Sequence, residues 1–277
     1  MIQALIPSQK LRFDATRGTF GHAAPEHLLF VKVVRPELAE ELYRLHETLI
    51  GDLPIARCLG WSDLGLVVLE PLPGQTIYAS LNGGGPQPPG GDELLGLLRT
   101  LERFEIDAKP RRTTGGKVVR HVQLLKAILP DQAELLDRFA ERYGEERPQP
   151  RITIHGDFHE NQILFADGRV TGLLDVDDVG PGQRVDDLAL ISGRLMALAH
   201  VAKRDREWIQ SYADQLLGTF EREVDARELR RRISGALLGR ATAPFRSQAR
   251  GWRAATLQRI QLAESWLARC EREGLLD

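Results

Sequence analysis

The stretch that most restricts how this chain can fold lies between residues 152 and 188, where three short apolar runs carry polar and ionisable residues at their ends. Each run has the length and composition of a β-strand, and a hairpin-like turn at 166–169 joins the last two. The runs are Ile152–Ile154, Ile163–Phe165 and Val170–Leu174. Strands placed in this way present polar side chains from a rigid scaffold, so we expect the chemistry of the protein here.

The first 70 residues predict a small α+β unit. Leu28–Val34 and Gly65–Glu70 are β-rich runs. Four leucines between them are spaced so that they share one face of a helix starting near Pro36. These leucines are Leu38, Leu42, Leu45 and Leu49.

A Pro- and Gly-rich segment, Pro71–Gly91, follows this unit, and its part from Gly83 onward cannot hold a helix or a strand. The remainder of the chain, apart from the three runs described above, is mainly helical in pattern. We therefore predict a small domain at residues 1–72 and a larger one at residues 73–277.

The composition is that of an ordinary globular protein, with 42% hydrophobic and 27% charged residues in 277. Two distant cysteines, Cys58 and Cys270, argue against a disulfide framework and against a zinc site built on CxxC pairs. No run approaches 18 apolar residues, and the first residues lack the pattern of a secretory signal. We expect a cytoplasmic protein with no membrane partner.

Three oxygen-bearing side chains can converge between residues 152 and 188. Asp157 and Asn161 lie on the loop between the first two strands, and Asp175 follows the third. Oxygen ligands of this kind suit Mg²⁺, which binds together with substrate phosphates, so the set indicates phosphoryl transfer. The same residue types also form turns and helix caps, an interpretation that suits Asp167 and Asp186 better.

The order of these motifs resembles a known family. His155-Gly156-Asp157 is followed by Asn161, then by Asp175 and Asp177, and then by Asp187-Leu188-Ala189. In this order and spacing the sequence resembles the aminoglycoside phosphotransferase and choline kinase-like family, which shares its fold with protein kinases. The resemblance implies an α+β, bilobal protein-kinase-like fold, with a small β-rich N-lobe containing one helix and a larger, mainly helical C-lobe.

The resemblance also implies roles for residues of the catalytic loop. Asp157 would be the base that accepts the proton of a substrate hydroxyl. His155 would orient the loop, and Asp187 would brace it. The implied activity is transfer of the γ-phosphoryl group of ATP or GTP to a hydroxyl of a small molecule.

The metal would be Mg²⁺, held by Asn161 and Asp175, with Asp177 as an auxiliary carboxylate near the metal or the acceptor. An alternative takes His155 and His159, four residues apart, as zinc ligands. Zinc proteases with this spacing carry the two histidines on a helix, whereas the strand and glycine here favour a loop.

The nucleotide would contact the first lobe. Lys32 lies in the middle of a predicted strand, where a kinase-like fold needs a lysine for the α- and β-phosphates. Its partner would be Glu40 or Glu41 on the following helix, and the sequence leaves that choice open. Glu70 and Leu72 belong to a segment that resembles the hinge, where backbone groups meet the adenine.

The phosphate-covering loop departs from the family pattern. Arg17–Gly21 offers only two glycines, and only 31 residues precede Lys32. The N-lobe is therefore expected to be abbreviated or irregular in its first strands. This leaves a second hypothesis, a catalytically impaired nucleotide-binding module with the same fold.

Two segments are strongly basic, 109–120 and 229–260, and the second has eight arginines and no acidic residue. If part of it lines the acceptor site, a neutral or anionic acceptor is favoured over a polycationic aminoglycoside. Trp252 and Trp266 would stack on a sugar or belong to the core.

No RNA-binding signature accompanies the arginines, so we expect no nucleic-acid partner. The oligomeric state is left open.

Overall fold

The computed structural model of the chain describes residues 11–14, 19–23 and 28–274. Its first part is a five-stranded antiparallel sheet with the strand order β1-β2-β3-β5-β4. The strands are β1 (Leu11–Asp14), β2 (Thr19–Ala23), β3 (Leu28–Val33), β4 (Cys58–Trp61) and β5 (Leu66–Leu69). Both predicted β-rich runs are therefore strands, and two further strands precede them.

One helix, α1 (Pro36–Leu49), packs on β4 and β5 of this sheet. Pro36 occupies the first turn, where a missing backbone N–H costs nothing. The buried face contains Leu42 and Leu49, as the leucine spacing predicts, together with Ala39 and His46. The small α+β unit predicted from the sequence is confirmed.

The Pro- and Gly-rich segment after the sheet contains a short strand and one helix. Strand β6 (Gln75–Thr76) leads into α2 (Ile77–Gly83), whose first turn is capped by Thr76 Oγ1 accepting the Ala79 N–H at 3.1 Å. Gly84, in the left-handed conformation, ends the helix. Residues 84–90 then carry neither helix nor strand, as expected. The prediction is wrong at its two ends, since Gly83 is the last residue of α2 and Gly91 the first of the next helix.

The larger part of the molecule is mainly helical and carries two small sheets. One sheet pairs β10 with β7, and the other has the order β6-β8-β9. The strands are β7 (Ile152–Ile154), β8 (Ile163–Ala166), β9 (Arg169–Leu173) and β10 (Gly180–Gly182). All three predicted runs are strands within one residue of their predicted ends, and Asp167 and Gly168, both with positive φ, form the hairpin turn.

Helix α8 lies at the centre of the helical packing, between α4, α6 and α10. Helices α6 and α8 approach so closely that a Cβ at Gly193 would lie 2.9 Å from the Ala236 side chain. The helices of this region are α3 (Gly91–Leu101), α4 (Thr114–Ile128), α5 (Ala133–Tyr143), α6 (Arg184–Val201), α7 (Arg206–Phe220), α8 (Ala226–Ala241), α9 (Ala243–Arg246) and α10 (Trp252–Arg272). None of the helices within residues 28–274 combines the length and apolar character needed to cross a bilayer.

Part of the arginine-rich segment 229–260 lies inside the protein rather than along an acceptor site. The Arg232 guanidinium is fully buried and donates to Glu228 Oε1 at 2.8 Å and to Asp186 Oδ1 at 2.9 Å. The Thr114 hydroxyl donates to the same Asp186 oxygen at 2.7 Å. Arg231 is also buried and donates to the Tyr143 carbonyl. These arginines tie α4, α5, α6 and α8 together, because buried charge requires charged partners.

Replacing Arg232 with Ala should lower the free energy of unfolding by about 3–5 kcal/mol, because it leaves the Asp186 and Glu228 carboxylates buried without their cation. Urea unfolding monitored by circular dichroism measures this loss. The matched control is Arg253→Ala, since Arg253 is exposed and pairs with Asp131 at the surface, and it should lose far less. Equal losses in the two variants would contradict a central role for the buried network.

Candidate active site

The loop that follows β7 is held by a buried carboxylate. Asp187, in the first turn of α6, is 1% exposed and accepts the His155 N–H on Oδ2 at 2.8 Å and the Gly156 N–H on Oδ1 at 2.9 Å. Burial raises the pKa of Asp187 to about 7 against the opposing effect of these two donors. The contact joins the end of β7 to the N-terminus of α6.

Both ring nitrogens of His155 are engaged. Nε2 donates to the Leu174 carbonyl at 2.9 Å, and Nδ1 accepts the Asp157 N–H at 3.3 Å. Burial lowers the pKa of His155, so the ring is neutral at pH 7 and carries its hydrogen on Nε2. A ring bonded in this way connects the loop to the end of β9 and has no lone pair left for zinc.

The carboxylate of Asp157 is partly exposed and lies next to a buried histidine. His159 Nδ1 accepts the Asn161 N–H at 3.2 Å, which places the ring hydrogen on Nε2, 3.4 Å from Asp157 Oδ2. Burial would raise the pKa of Asp157, but the contact with His159 outweighs it and holds the pKa below its usual value. Asp157 is therefore ionised at neutral pH. Sequence reasoning considered His159 only as a zinc ligand and missed this contact.

In the first sheet, Lys32 of β3 contacts two carboxylates that follow β9. Its Nζ lies 2.9 Å from Asp175 Oδ1 and 2.7 Å from Asp177 Oδ1. Gln162 Nε2 donates to the other oxygen of Asp175 at 2.7 Å. Burial would raise the pKa of Asp175, but Lys32 and Gln162 outweigh it and hold the pKa below its usual value. This cluster joins the first sheet to the loop after β9.

The expected pairing of Lys32 with a helix glutamate is not present among the described residues. Glu40 instead pairs with Arg44 one turn along α1, at 2.5 Å, and Glu41 is exposed. Burial would lower the pKa of Lys32, but Asp177 and Asp175 outweigh it and raise that pKa. The pairing expected from the sequence is therefore wrong for this structure, because the two aspartates already neutralise the ammonium group.

The residue after His159 is a buried glutamate held by an arginine. Glu160 is buried, and its two carboxylate oxygens each accept a hydrogen bond from Arg194 at 2.8 Å. Burial would raise the pKa of Glu160, but Arg194 outweighs it and lowers it. The Asn161 amide donates to Glu160 Oε1 at 3.3 Å. The negative charge of Glu160 is thus largely compensated by Arg194, a residue that no sequence motif had indicated.

The predicted hinge segment packs against the β6-β8-β9 sheet. The Glu70 N–H donates to the Arg57 carbonyl at 2.9 Å, and Leu72 lies against β9 at Gly172, where a Cβ would come 3.0 Å from its side chain. Thr171 Oγ1 donates to the Pro73 carbonyl at 2.7 Å. The segment therefore bridges β5 and β9. Of the glycine-poor loop, residues 17 and 18 lie outside the described residues, and Thr19 begins β2, paired with Lys32 of β3.

Comparison with known proteins identifies the family. A family model described as "Phosphotransferase enzyme family" matches residues 20–232. The chain belongs to this family. It is accordingly an enzyme of the phosphotransferase class, and the resemblance stated from its sequence motifs is confirmed. A search of curated protein sequences gave no match.

Solved structures of similar fold cover nearly the whole chain. The gentamicin complex of APH(2")-IIa has a TM-score of 0.64 at 16% identity and covers 94% of this chain and 93% of its own. The streptomycin–ATP complex of APH(2")-IIa has a TM-score of 0.61 at 16% identity, with 96% of both chains covered. The macrolide 2'-phosphotransferase MphH from Brachybacterium faecium has a TM-score of 0.54 at 17% identity, with 91% of both chains covered. These likenesses establish the α+β, bilobal kinase-like fold.

At Gly156 the loop after β7 packs closely against the segment after β9. Its φ is +82°, and a Cβ there would lie 2.5 Å from the Asp178 carbonyl oxygen. Gly168 in the β8–β9 turn has φ +73°, and a Cβ at that position would meet no atom within 4 Å, which makes it a matched control. The two positions share the backbone conformation and differ in the space available.

We expect Gly156→Ala to lower the free energy of unfolding by about 2–5 kcal/mol, since it combines left-handed strain with a backbone clash. Gly168→Ala should cost only the strain, about 1–2 kcal/mol. Thermal and urea unfolding of both variants measure the difference. If Gly156→Ala proved no more costly than Gly168→Ala, the close packing of these two segments would be refuted.

Proposed function

We propose that this enzyme transfers the γ-phosphoryl group of ATP or GTP to a hydroxyl group of a small molecule in an Mg²⁺-dependent reaction. The supporting observation is that an ionised, partly exposed carboxylate, Asp157, lies within electrostatic reach of Asp175, which itself contacts Lys32 from the other lobe. One cleft thereby combines a base, a carboxylate for a cation and a cation for phosphates. Phosphoryl transfer requires these three elements.

Asp157 is the proposed catalytic base. As the acceptor oxygen bonds to the γ-phosphorus and the bond to the leaving nucleotide oxygen breaks, the acceptor proton passes to the Asp157 carboxylate. His159 holds this carboxylate through Nε2, while His155 and Asp187 hold the backbone that carries it. The three residues act as positioning groups, so the base meets the acceptor without a reorientation step.

Lys32 is the proposed contact for the nucleotide phosphates. Its ammonium group is partly buried and positively charged, and it lies between the strand β3 and the loop after β9. The hinge segment, with Glu70 and Leu72, would offer backbone groups to the base of the nucleotide. Because β6 pairs with β8, we also propose that the smaller lobe comprises residues 1–72 and the larger lobe residues 73–277.

The residues around Asp175 fit a magnesium ion. Asp175 and Asp177 already direct one carboxylate oxygen each at a single positive group, the Lys32 ammonium. With Asn161, they supply carboxylate and amide oxygens, the donors that Mg²⁺ takes beside water and phosphate. Within the described residues no group of three or more His, Cys, Asp and Glu side chains is arranged to hold a metal by itself. Substrate oxygens and water would therefore have to complete the coordination. When bound, Mg²⁺ would neutralise charge on the nucleotide phosphates.

Replacing Asp157 with Asn should lower kcat about 10²–10⁴-fold, because the amide cannot accept the acceptor proton. Nucleotide affinity should stay nearly unchanged, since the base contacts the acceptor. A coupled transfer assay over sugars, amino alcohols and aminoglycosides, with calorimetry for the nucleotide, measures both. The control is Asp167→Asn in the exposed turn. An undiminished transfer rate in Asp157→Asn would refute the assigned base.

Replacing Asp175 with Asn should abolish the gain in nucleotide affinity that Mg²⁺ provides, because it removes the charge of a metal ligand. Calorimetric titration of ADP with Mg²⁺ and with EDTA compares the two conditions in each protein. The wild-type protein should bind ADP at least about tenfold more tightly with Mg²⁺, and the variant should bind equally in both. A metal effect retained in the variant would count against Asp175 as a ligand.

A further inference from the structure

Basic side chains from two helices lie beside the catalytic loop. Lys117 and His121 are one turn apart on α4, and Arg240 lies in the last turn of α8. His121 packs directly against α8 next to Arg240, since a Cβ at Gly239 would lie 3.0 Å from its Nε2. We refer to Lys117, His121 and Arg240 as the basic cluster.

The cluster lies close to the residues that carry the proposed reaction. Arg240 interacts electrostatically with Asp157 and with the Glu160–Arg194 pair, and Lys117 interacts with Asp187. The cluster therefore borders the catalytic loop on the side of α4 and α8. Lys32, which contacts the proposed nucleotide site, belongs to the opposite lobe. We therefore expect the acceptor, rather than the nucleotide, to approach Asp157 beside the basic cluster.

Arg240 differs from most arginines of its segment in having no protein partner within the described residues. The buried or half-buried arginines at the start of α8 all form contacts within the protein. These contacts are Arg230 with Glu221, Arg231 with the Tyr143 carbonyl, and Arg232 with Asp186 and Glu228. Arg240, by contrast, is half-buried, and the structure gives its guanidinium no hydrogen bond or ion pair. The side chains of Lys117 and His121 are likewise half-buried and unpartnered in the part of the chain described.

A partly buried cation without a partner is costly, and an anion would relieve that cost. Burial, with Arg194 adding repulsion, lowers the pKa of Arg240 to about 10, which still leaves it charged at pH 7. Glu160 and Asp157 attract the Arg240 charge but form no ion pair with it, because Arg194 holds both Glu160 oxygens and His159 lies against an Asp157 oxygen. Burial and the neighbouring cations lower the pKa of His121, so its neutral ring supplies a hydrogen bond rather than a charge.

We infer that the basic cluster is an anion-binding subsite, which holds a phosphate or carboxylate substituent of the acceptor and so brings the acceptor's hydroxyl to Asp157. The inference rests on the proposed function and narrows it to acceptors that carry a negative group. Arginine binds both kinds of anion in a bidentate manner, and lysine adds a point charge. A polycationic acceptor would be repelled at the same place.

The first test measures anion binding without any reaction. A saturating nonhydrolysable ATP analogue with Mg²⁺ fills the nucleotide site, and inorganic phosphate is then titrated by calorimetry. Phosphate should bind the wild-type protein and bind Arg240→Gln at least about tenfold more weakly, the loss of one charged hydrogen-bonding partner. Arg240→Lys should retain part of the affinity. Arg250→Gln, a change of the same kind at an exposed arginine of the segment, is the control and should match the wild-type protein.

The second test compares acceptors built on the same three-carbon backbone. Glycerol 3-phosphate, glycerate, glycerol and 3-amino-1,2-propanediol carry a phosphate, a carboxylate, no charge and an ammonium group. We expect kcat/KM to be highest for one of the two anionic acceptors, and the better of them identifies the anion. In Arg240→Gln and Lys117→Gln the ratio of kcat/KM for that acceptor to kcat/KM for glycerol should fall at least about tenfold.

The possible outcomes distinguish a failure of the proposed subsite from a failure of the proposed reaction. Phosphate affinity or acceptor ratios unchanged in Arg240→Gln would overturn the subsite, as would a preference for the ammonium-bearing acceptor, while transfer itself would still support the proposed function. Phosphate binding that depends on Arg240, without transfer to any acceptor, would support the subsite and count against the reaction. Circular dichroism of each variant confirms that a loss of binding is not a loss of folding.

Discussion

The carboxylate of Asp187 connects helix α6 to the loop that carries Asp157, the proposed base. It lies at the start of α6, the helix that packs on both α7 and α8, and it accepts two consecutive backbone N–H groups at the end of β7. Two donors on two oxygens define the direction in which the chain leaves the strand. The loop held in this way carries the His155 ring, which bonds the Leu174 carbonyl and the Asp157 N–H, and the Asp157 carboxylate, which contacts His159.

Several carboxylates of the site are stabilised by a neighbouring side chain. Three carboxylates of the site have one dominant partner each: His159 for Asp157, Arg194 for Glu160 and Lys32 for Asp175. These pairs keep the carboxylates ionised in spite of burial. Because Lys32 comes from the first sheet and Asp175 from the loop after β9, one of the pairs also links the two lobes. The proposed nucleotide and metal ion would compete with this ion pair for Lys32 and Asp175.

Much of the fold could be predicted from local patterns. The strands at 152–154, 163–166 and 169–173 and the helix after Pro36 were predictable because alternation, leucine spacing and turn residues act over a few positions. The order of motifs was enough to indicate the family, since each motif is a short local pattern, either beside a strand or in the first turn of α6. The partners of Lys32 and of His159 could not be predicted in this way, because those contacts depend on how separate segments pack.

The arginines of α8 show most directly which features the sequence determines and which depend on the packing of the helices. The sequence alone determined that residues 229–260 are basic and that a set of polar residues follows short strands. It could not determine which arginines are structural, because adjacent helix positions face different directions by about 100° each and only the packed neighbours tell them apart. Arg232 lies among carboxylates in the core, whereas Arg240, two turns later, borders the catalytic loop without a described partner. The tertiary structure decided this, since burial of a charge depends on all the helices around it.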